Sequence, residues 1–252
     1  MNQLKVTGLK KFFGTGEKTV AVLKGISFTV KQGEFVAVMG QSGSGKSTLL
    51  YNVSGMERMS AGSVILGGVS IGDLSEDELA DLRLRKMGFI FQNNYFLKNL
   101  SLSDNIMLPG LYAKELGRDE VRDNAEILMC KMDISELRNR SIETVSRGQL
   151  QRAAICRALI NDPQILFADE PTGALNSQAS AEVLALLQML NEQGMTILMV
   201  THDPVMVAGC DRILYLKDGL LEDEYTWSAN AGAASNKERE REILHWLMAR
   251  GF

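Results

Sequence analysis

Cysteine and basic charge are both scarce in this chain. Its 252 residues include only three cysteines, Cys130, Cys156 and Cys210. Their number is odd, they lie far apart and they lack metal-ligand spacing, so we expect them to stay reduced in the core of a cytosolic protein. The formal net charge of −4 argues against a surface dedicated to nucleic acid, because such surfaces usually show as a basic excess.

Long hydrophobic runs are also missing. No stretch approaches the roughly 18 consecutive apolar residues of a membrane span. The first residues, Met1-Asn-Gln-Leu-Lys-Val6, lack the apolar core of a signal peptide. The remaining composition, with 45% hydrophobic and 23% charged residues, is typical of a globular protein with one large or two small domains.

A glycine-rich loop is the most informative feature that is present. Residues 40–48 read Gly-Gln-Ser-Gly-Ser-Gly-Lys-Ser-Thr and match the spacing of a phosphate-binding loop. The alternative is a glycine-rich turn without a ligand, but an apolar strand before the loop and a helix opening at Ser47 disfavour it. The helix dipole and bare N–H groups would then face an anion.

The residue types of this loop predict a site for a nucleoside triphosphate and Mg²⁺. Lys46 can reach the β- and γ-phosphates as a point charge, and the Ser47 hydroxyl can ligate Mg²⁺. The glycines allow the tight turn that brings N–H groups close to the phosphates. The residues predicted to hold the nucleotide here are Gly40, Gln41, Ser42, Gly43, Ser44, Gly45, Lys46, Ser47 and Thr48.

Strand-like and helix-like segments alternate along the chain, as in α/β proteins. Strands are predicted over residues 26–30, 35–39, 63–66, 88–91, 165–168, 196–200 and 212–217, with tight turns at 67–68 and 218–219. A capping box at 75–78 starts a helix to about residue 86, and apolar spacing predicts another helix over 119–132. Because residues 97–152 contain no convincing strand, we expect a helical insertion between two halves of a parallel-sheet core.

The character of the sequence changes after Leu221. Small and polar residues over 228–236 are typical of a linker, and a final helix is predicted from residue 237 to about 250. This helix carries an apolar stripe made of Ile243, Leu244, Leu247 and Met248. We expect the stripe to dock on the chain's own domain; contact with a partner chain is the alternative.

The apolar strand over 165–168 leads into two carboxylates, Asp169 and Glu170. A phosphate-loop enzyme needs a buried strand that delivers an acid to its metal ion. Asp169 is therefore predicted to hold Mg²⁺, through water, and Glu170 to orient and deprotonate the attacking water. An apolar run followed by Asp-Glu often means nothing by itself, but its place after a phosphate loop favours this functional interpretation.

The segment Val145-Ser-Arg-Gly-Gln149, followed by a stretch rich in Gln and Arg, resembles the signature motif of ATP-binding cassette (ABC) ATPases. Phe91-Gln92, Ala168-Asp-Glu-Pro-Thr-Gly173 and Val200-Thr-His202-Asp match further family motifs in order. The resemblance implies that Gln92 senses Mg²⁺ and the attacking water, that His202 contacts the γ-phosphate and that Phe13 stacks on adenine. ATP preference is implied by the resemblance alone, since stacking would also accept guanine.

The resemblance covers about residues 3–222 and implies the family's fold. This is an α/β P-loop NTPase (ABC ATPase) fold with a RecA-like parallel-sheet core, an antiparallel β subdomain and a helical subdomain insertion. We expect an ABC ATPase domain over 1–226, with the helical subdomain at about 97–152, and a linker and amphipathic helix over 227–252. The family's signature binds the nucleotide held by a second copy, so we expect a head-to-tail homodimer in which Ser146, Gly148 and Gln149 contact the partner's ATP.

Three segments are similar to the lipoprotein-release, macrolide-export and antimicrobial-peptide branch of the family: the predicted helix over 75–85, residues 104–113 and residues 168–175. In that branch the ATPase pairs with a membrane permease that has a large extracytoplasmic domain, which would place this chain in the cytoplasm, at the inner face of the cell membrane. The groove that grips a permease helix would be lined by Tyr95, Phe96, Leu97 and Leu100. Ordinary core packing of these side chains is the alternative.

The resemblance implies that the chain hydrolyses ATP to drive a separate permease, which exports or removes antimicrobial peptides, lipoproteins or other amphiphiles. Two other functions compete with this export. An ABC ATPase for DNA repair or translation is disfavoured, because the sequence has neither a long coiled-coil insertion nor two cassettes with a charged linker. A signalling module stays open, in which the permease moves no substrate but reports to a sensor kinase or a cell-wall enzyme.

Two residues depart from the family's pattern. Arg147 stands where the signature usually has a Gly, and Asn176 stands where the loop after Glu170 usually has an Asp. We expect the Arg147 side chain to point away from the phosphate; positive charge beside the γ-phosphate, as in arginine fingers, is the alternative. Asn176 lacks the charge that would tie two protomers together, which predicts slower hydrolysis.

Overall fold

The computed structural model describes residues 1–14, 16–227 and 236–250. Its strands are β1 (Asn2–Phe13), β2 (Val20–Lys31), β3 (Phe35–Met39), β4 (Ala61–Leu66), β5 (Val69–Ser70), β6 (Met87–Ile90), β7 (Ile165–Asp169), β8 (Thr196–Val200), β9 (Arg212–Lys217) and β10 (Leu220–Thr226). Its α-helices are α1 (Lys46–Val53), α2 (Glu76–Lys86), α3 (Leu102–Ala113), α4 (Arg118–Lys131), α5 (Arg147–Leu159), α6 (Ser177–Glu192), α7 (Pro204–Val207) and α8 (Asn236–Met248). No helix within these described ranges is both long and apolar enough to cross a membrane.

The larger sheet carries the elements of the candidate site. Its six strands run in the order β10-β9-β3-β8-β7-β6, and neighbouring strands are parallel except β10, which pairs antiparallel with β9. Every residue of β3, β7 and β8 is buried, because both faces of this sheet are covered and its strands therefore read as continuous apolar runs. The loops after β3, β7 and β8 leave the sheet at one edge, where ligands of parallel sheets bind.

A smaller antiparallel sheet, in the order β2-β1-β4-β5, packs over one face of the larger sheet together with α1. The sequence predicted β2 and β4 in part and missed β1, β5 and β10. In β1, Gly8 has a φ of 59° and the pairing with β2 shifts register between Val6 and Leu9, so the strand lacks a regular alternation. In β10, Glu222, Asp223 and Glu224 are of types that strands disfavour. The predicted turns at 67–68 and 218–219 are confirmed by φ values between 49° and 87°, as in two-residue hairpin loops.

Helices α3, α4 and α5, which lie between β6 and β7 in the sequence, pack together around Ile106, Val121 and Met129. Helix α4 lies close to its predicted range, and α2 begins with the predicted capping box between Ser75 and Glu78. Residues 97–152, which are all described, contain no strand. The predicted fold class, with a parallel core, an antiparallel sheet and a helical insertion, is therefore confirmed, whereas the boundaries drawn between domains stay predictions.

Helix α8 packs on the chain's own domain, against α7 and the edge of the larger sheet. Ile243 and Leu247 are fully buried, and the Trp246 ring meets the rings of Tyr215 and Tyr225 edge-on at 5.8 and 5.3 Å. The apolar stripe was predicted one residue too far, since Met248 is 71% exposed. The predicted linker lies outside the described residues, apart from Asn236, the first residue of α8.

Candidate nucleotide-binding site

The phosphate loop connects β3 to the N-terminus of α1, as its sequence predicts. Two glycines allow this path. Gly45, which precedes α1, has a φ of 101° in the left-handed region, and a Cβ on Gly40 would lie 2.0 Å from the Leu216 carbonyl oxygen of β9. A side chain at either position would therefore move the loop away from its neighbours.

Lys46 is the buried cation of this loop. Its Nζ donates hydrogen bonds of 2.9 Å to the carbonyl oxygens of Gly40 and Gln41. Burial lowers the pKa of Lys46 from its ordinary value, and the carboxylates of Glu170 and Asp169 oppose this effect. Ser44 Oγ is buried and has no hydrogen-bond partner among the described residues. A buried ammonium, a free hydroxyl and a helix N-terminus together fit a polyphosphate.

Asp169 at the end of β7 is held by two side chains of α1. Ser47 Oγ donates to Asp169 Oδ1 at 2.9 Å, and the Tyr51 hydroxyl donates to Asp169 Oδ2 at 2.7 Å. Burial raises the pKa of Tyr51, and the bond to Asp169 raises it further. The hydroxyl of Ser47 and the carboxylate of Asp169 are hard oxygen donors, which fit Mg²⁺ shared with phosphate groups.

Glu170 and His202 meet on the rim of the same cleft. The distance from His202 Nδ1 to Glu170 Oε1 is 2.9 Å. Glu170 has a φ of 47°, and its N–H donates to the Val200 carbonyl at 2.9 Å, so β8 holds it in this left-handed conformation. The cleft, of about 460 Å³, is lined by Gly40, Gln41, Ser42, Lys46, Glu170 and His202.

Other predicted residues lie around this cleft without joining its contacts. Gln92 follows β6 and is exposed; its Nε2 would lie 3.2 Å from a Cβ built on Gly173. Within the described chain, Gln92 makes no hydrogen bond to Ser47 or Asp169. Phe13 ends β1, is 41% exposed and has Lys11 Nζ 4.9 Å from its ring centroid. Thr48 continues α1, with its carbonyl accepting a bond from Asn52.

The signature residues line a different cleft, of about 520 Å³. Ser146 caps α5: its Oγ accepts from the Gln149 N–H at 3.2 Å, and the Gln149 side chain accepts from the Ser146 N–H at 2.8 Å. Gly148 lies beside α6, where an added Cβ would be 3.5 Å from the Ala179 Cβ. One chain therefore does not bring Ser146, Gly148 and Gln149 to its own phosphate loop.

Arg147 and Asn176 both bond within the chain. Arg147 Nη1 donates to the Ala174 carbonyl at 3.2 Å, which links the start of α5 to the loop after Glu170. Asn176 is the N-cap of α6, and its Oδ1 accepts from the Ala179 N–H at 2.9 Å. The side chain of Arg147 thus already has a partner on its own chain.

Sequence reasoning missed Tyr51 because an aromatic residue in a helix next to a sheet reads as core. The signal was its spacing: Tyr51 lies four residues after Ser47, so the two side chains share one face of α1. A helix that presents Ser47 to a strand-end carboxylate therefore presents residue 51 to it as well.

The fold and the cleft define a phosphate-loop nucleoside triphosphatase, with a glycine loop, a buried lysine and a strand-end acid pair beside it. The family described as ABC transporter matches residues 23–173. This chain belongs to that family and is an ATPase of the ATP-binding cassette type.

Individual relatives agree with this assignment. The chain is 42% identical over 224 residues to the macrolide export ATP-binding/permease protein MacB of Mannheimia succiniciproducens, covering 89% of this chain and 35% of that protein. It is 45% identical over 218 residues to MacB 1 of Aeromonas hydrophila, covering 86% and 34%. It spans about a third of the length of these relatives. The dimeric post-hydrolysis structure of the ATP-binding cassette MJ0796 bound to ADP and Pi has a TM-score of 0.83 and 36% identity, over 90% of this chain and 99% of that chain.

Proposed function

We propose that this ATPase drives a membrane permease that exports or removes amphiphilic compounds, in the class of macrolides, antimicrobial peptides or lipoproteins. The observation that carries the proposal is the cleft at the phosphate loop, where Lys46 of the loop interacts electrostatically with the carboxylates of Glu170 and Asp169. The relatives named MacB combine an ATP-binding part with a permease, and this chain matches them over most of its own length. The chain would then act in the cytoplasm, against the inner face of the cell membrane.

Each residue of the cleft has a distinct task in this proposal. The loop from Gly40 to Thr48 binds the phosphates, and Lys46 neutralises charge on the β- and γ-phosphates. Ser47 and Asp169 would hold Mg²⁺, with Gln92 reaching the site from the loop after β6. When bound, Mg²⁺ supplies charge neutralisation on the phosphate oxygens. Phe13 is proposed to stack on adenine.

Glu170 is proposed as the general base. An ionised carboxylate can only accept a hydrogen bond, so Nδ1 of His202 would carry the proton in its 2.9 Å contact with Glu170 Oε1. Oε1 is oriented by this bond, which leaves the other carboxylate oxygen to take a proton from the attacking water. His202 thus positions the base and contacts the γ-phosphate.

A second copy of the chain would complete the site. Ser146, Gly148 and Gln149 lie at the N-terminus of α5, a suitable place for an anion, but they line a cleft of their own. A head-to-tail dimer would bring this terminus to the ATP bound by the partner subunit. MJ0796, which the chain resembles over most of its length, is a dimer with nucleotide. Closure would then depend on ATP, and hydrolysis would reset the dimer.

The permease is proposed to dock at a largely apolar groove between α2, β6 and α5. The groove holds about 390 Å³ and is lined in part by Phe89, Phe91 and Tyr95. Tyr95 is 70% exposed, whereas Phe96 packs under the Arg157 guanidinium at 4.4 Å. Of the four residues expected to line this groove, Tyr95 does so, and Phe96, Leu97 and Leu100 lie outside its lining.

Reconstitution tests the proposed function. The chain and its permease, placed in proteoliposomes, are expected to move cargo outward only with hydrolysable ATP and Mg²⁺, in proportion to the ATPase rate. A non-hydrolysable ATP analogue is the control. ATP hydrolysis without movement of any amphiphile would contradict export and favour the signalling module. Absence of hydrolysis would contradict the roles given to the cleft.

Arg147→Gly is expected to change the ATPase rate by less than about tenfold, which is under about 1.4 kcal/mol of barrier. The reason is that the Arg147 guanidinium bonds to the Ala174 carbonyl of its own chain. Steady-state hydrolysis at saturating ATP measures the effect. A loss of a hundredfold or more would instead mean that Arg147 acts on the transferred phosphoryl group.

Asn176→Asp is expected to preserve or raise the ATPase rate. Aspartate caps a helix as well as asparagine, and its charge interacts favourably with the N-terminus of α6. The substitution therefore keeps the α6 cap and restores the charge proposed to tie two protomers together. Hydrolysis measured over a range of protein concentrations tests this; a drop of more than about tenfold would refute the idea that the missing charge slows the enzyme.

A further inference from the structure

Both oxygens of the Asp169 carboxylate accept hydrogen bonds from side chains. Both donors come from α1, one turn apart, and each takes a different oxygen of the same carboxylate. Asp169 is only 5% exposed, so water does not compete freely for these oxygens. Ser47 is already proposed to bind Mg²⁺, whereas the Tyr51 hydroxyl has no task in the proposed function.

The bond from Tyr51 constrains how the carboxylate can turn. A carboxylate held at one oxygen can rotate about its Cβ–Cγ bond, but one held at both oxygens has a fixed plane. In this structure Oδ2 faces Tyr51 and Oδ1 faces Ser47. Outer-sphere partners of this kind orient metal ligands, and their loss typically weakens metal binding by about 10–100-fold.

We propose that Tyr51 is a positioning residue for the metal site: its hydroxyl holds Oδ2 of Asp169, so that Oδ1 is directed at Ser47 and Mg²⁺, and this sets the affinity for the metal ion. The inference rests on the proposed function, because it takes Ser47 and Asp169 as the residues that hold Mg²⁺. It assigns Tyr51 a role in metal affinity and none in proton transfer or nucleotide recognition.

Tyr51→Phe tests the proposal because it removes the hydroxyl and keeps the ring, which packs against the core formed by residues of both sheets. The matched control is Tyr112→Phe, the same chemical change at a residue that is 76% exposed on α3. Each is made in the Glu170→Gln background, and Mn²⁺ binding to the ATP-loaded protein is followed by electron paramagnetic resonance. Tyr51→Phe is expected to raise the dissociation constant for Mn²⁺ about tenfold, and Tyr112→Phe to leave it unchanged.

Further measurements separate positioning from packing. With Glu170 intact, Tyr51→Phe is expected to raise the Mg²⁺ concentration for half-maximal hydrolysis while kcat at saturating Mg²⁺ stays within about twofold. ATP binding in excess chelator and the Tm are expected to match the parent chain. An unchanged Mn²⁺ dissociation constant would overturn the proposal, as would an equal loss of ATP binding in chelator. If the parent chain itself failed to bind Mn²⁺ with ATP, the proposed function would fail instead.

Discussion

Replacing Glu170 with Gln is expected to lower kcat for ATP hydrolysis by about 10²–10⁴-fold, the usual contribution of a general base. Glutamine keeps the shape of the side chain and one oxygen that can accept the hydrogen bond from His202, but it cannot take a proton from water. ATP binding should therefore persist while hydrolysis stops. Phosphate release measures the rate, and nucleotide binding is measured separately by filter retention.

The same variant should accumulate as a dimer when ATP is added, because closure is proposed to depend on bound ATP. Size exclusion with light scattering detects this. Glu126→Gln is the matched control, since Glu126 is exposed on α4, and it should hydrolyse ATP normally. A Glu170→Gln protein that kept more than about a tenth of the parent rate would contradict the assignment of Glu170 as the base.

Lys46→Ala is expected to impair ATP binding, the step that precedes hydrolysis. In the ATP complex, Lys46 would form a buried charge pair with the phosphates. Truncating one member of such a pair typically costs about 2–5 kcal/mol, so the dissociation constant for ATP should rise about 30-fold or more. Titration with a fluorescent ATP analogue measures this directly. Hydrolysis at low ATP should fall with it, and addition of ATP should no longer produce a dimer.

The control for Lys46 must account for the loop itself. Lys46 Nζ bonds to the carbonyls of Gly40 and Gln41, so its loss also removes contacts that shape the loop. Comparison of Tm values with and without ATP separates the two effects. Lys131→Ala, at an exposed lysine at the end of α4, should bind ATP like the parent. ATP affinity within threefold of the parent in Lys46→Ala would exclude the lysine as the main phosphate cation.

Much of the fold was predictable because buried parallel strands leave a plain signal. Strand β3 is an unbroken apolar run and β8 is one after Thr196, and the ranges of both were predicted without error. Strand β1 was missed because its pairing with β2 shifts register around Gly8. Strand β10 was missed because its acidic residues hide the alternation of exposed and half-buried side chains. Both strands are stabilised by hydrogen bonds to neighbouring strands. The local sequence of a strand carries no signal of that pairing.

The candidate site likewise contains residues that the sequence could place and contacts that it could not. The loop and the acid pair Asp169-Glu170 each lie at the end of a buried apolar strand, so the sequence alone could bring them to one edge of the parallel sheet. The contact of His202 with Glu170 and that of Tyr51 with Asp169 join residues from separate elements, and depend on how α1, β7 and β8 pack. The placement of Gln92 beside Gly173 could not be predicted either, since it is set by the path of two loops.

The left-handed backbone of Glu170 has a consequence for engineering. A non-glycine residue in this region is strained by about 1–3 kcal/mol, and glycine would relieve most of that strain, partly offset by its greater freedom in the unfolded chain. At position 170, selection for heat resistance would therefore favour Gly, whereas selection for turnover would favour Glu. A library of this protein screened for thermal tolerance alone would enrich variants that have lost the carboxylate, and so would collect stable but inactive proteins.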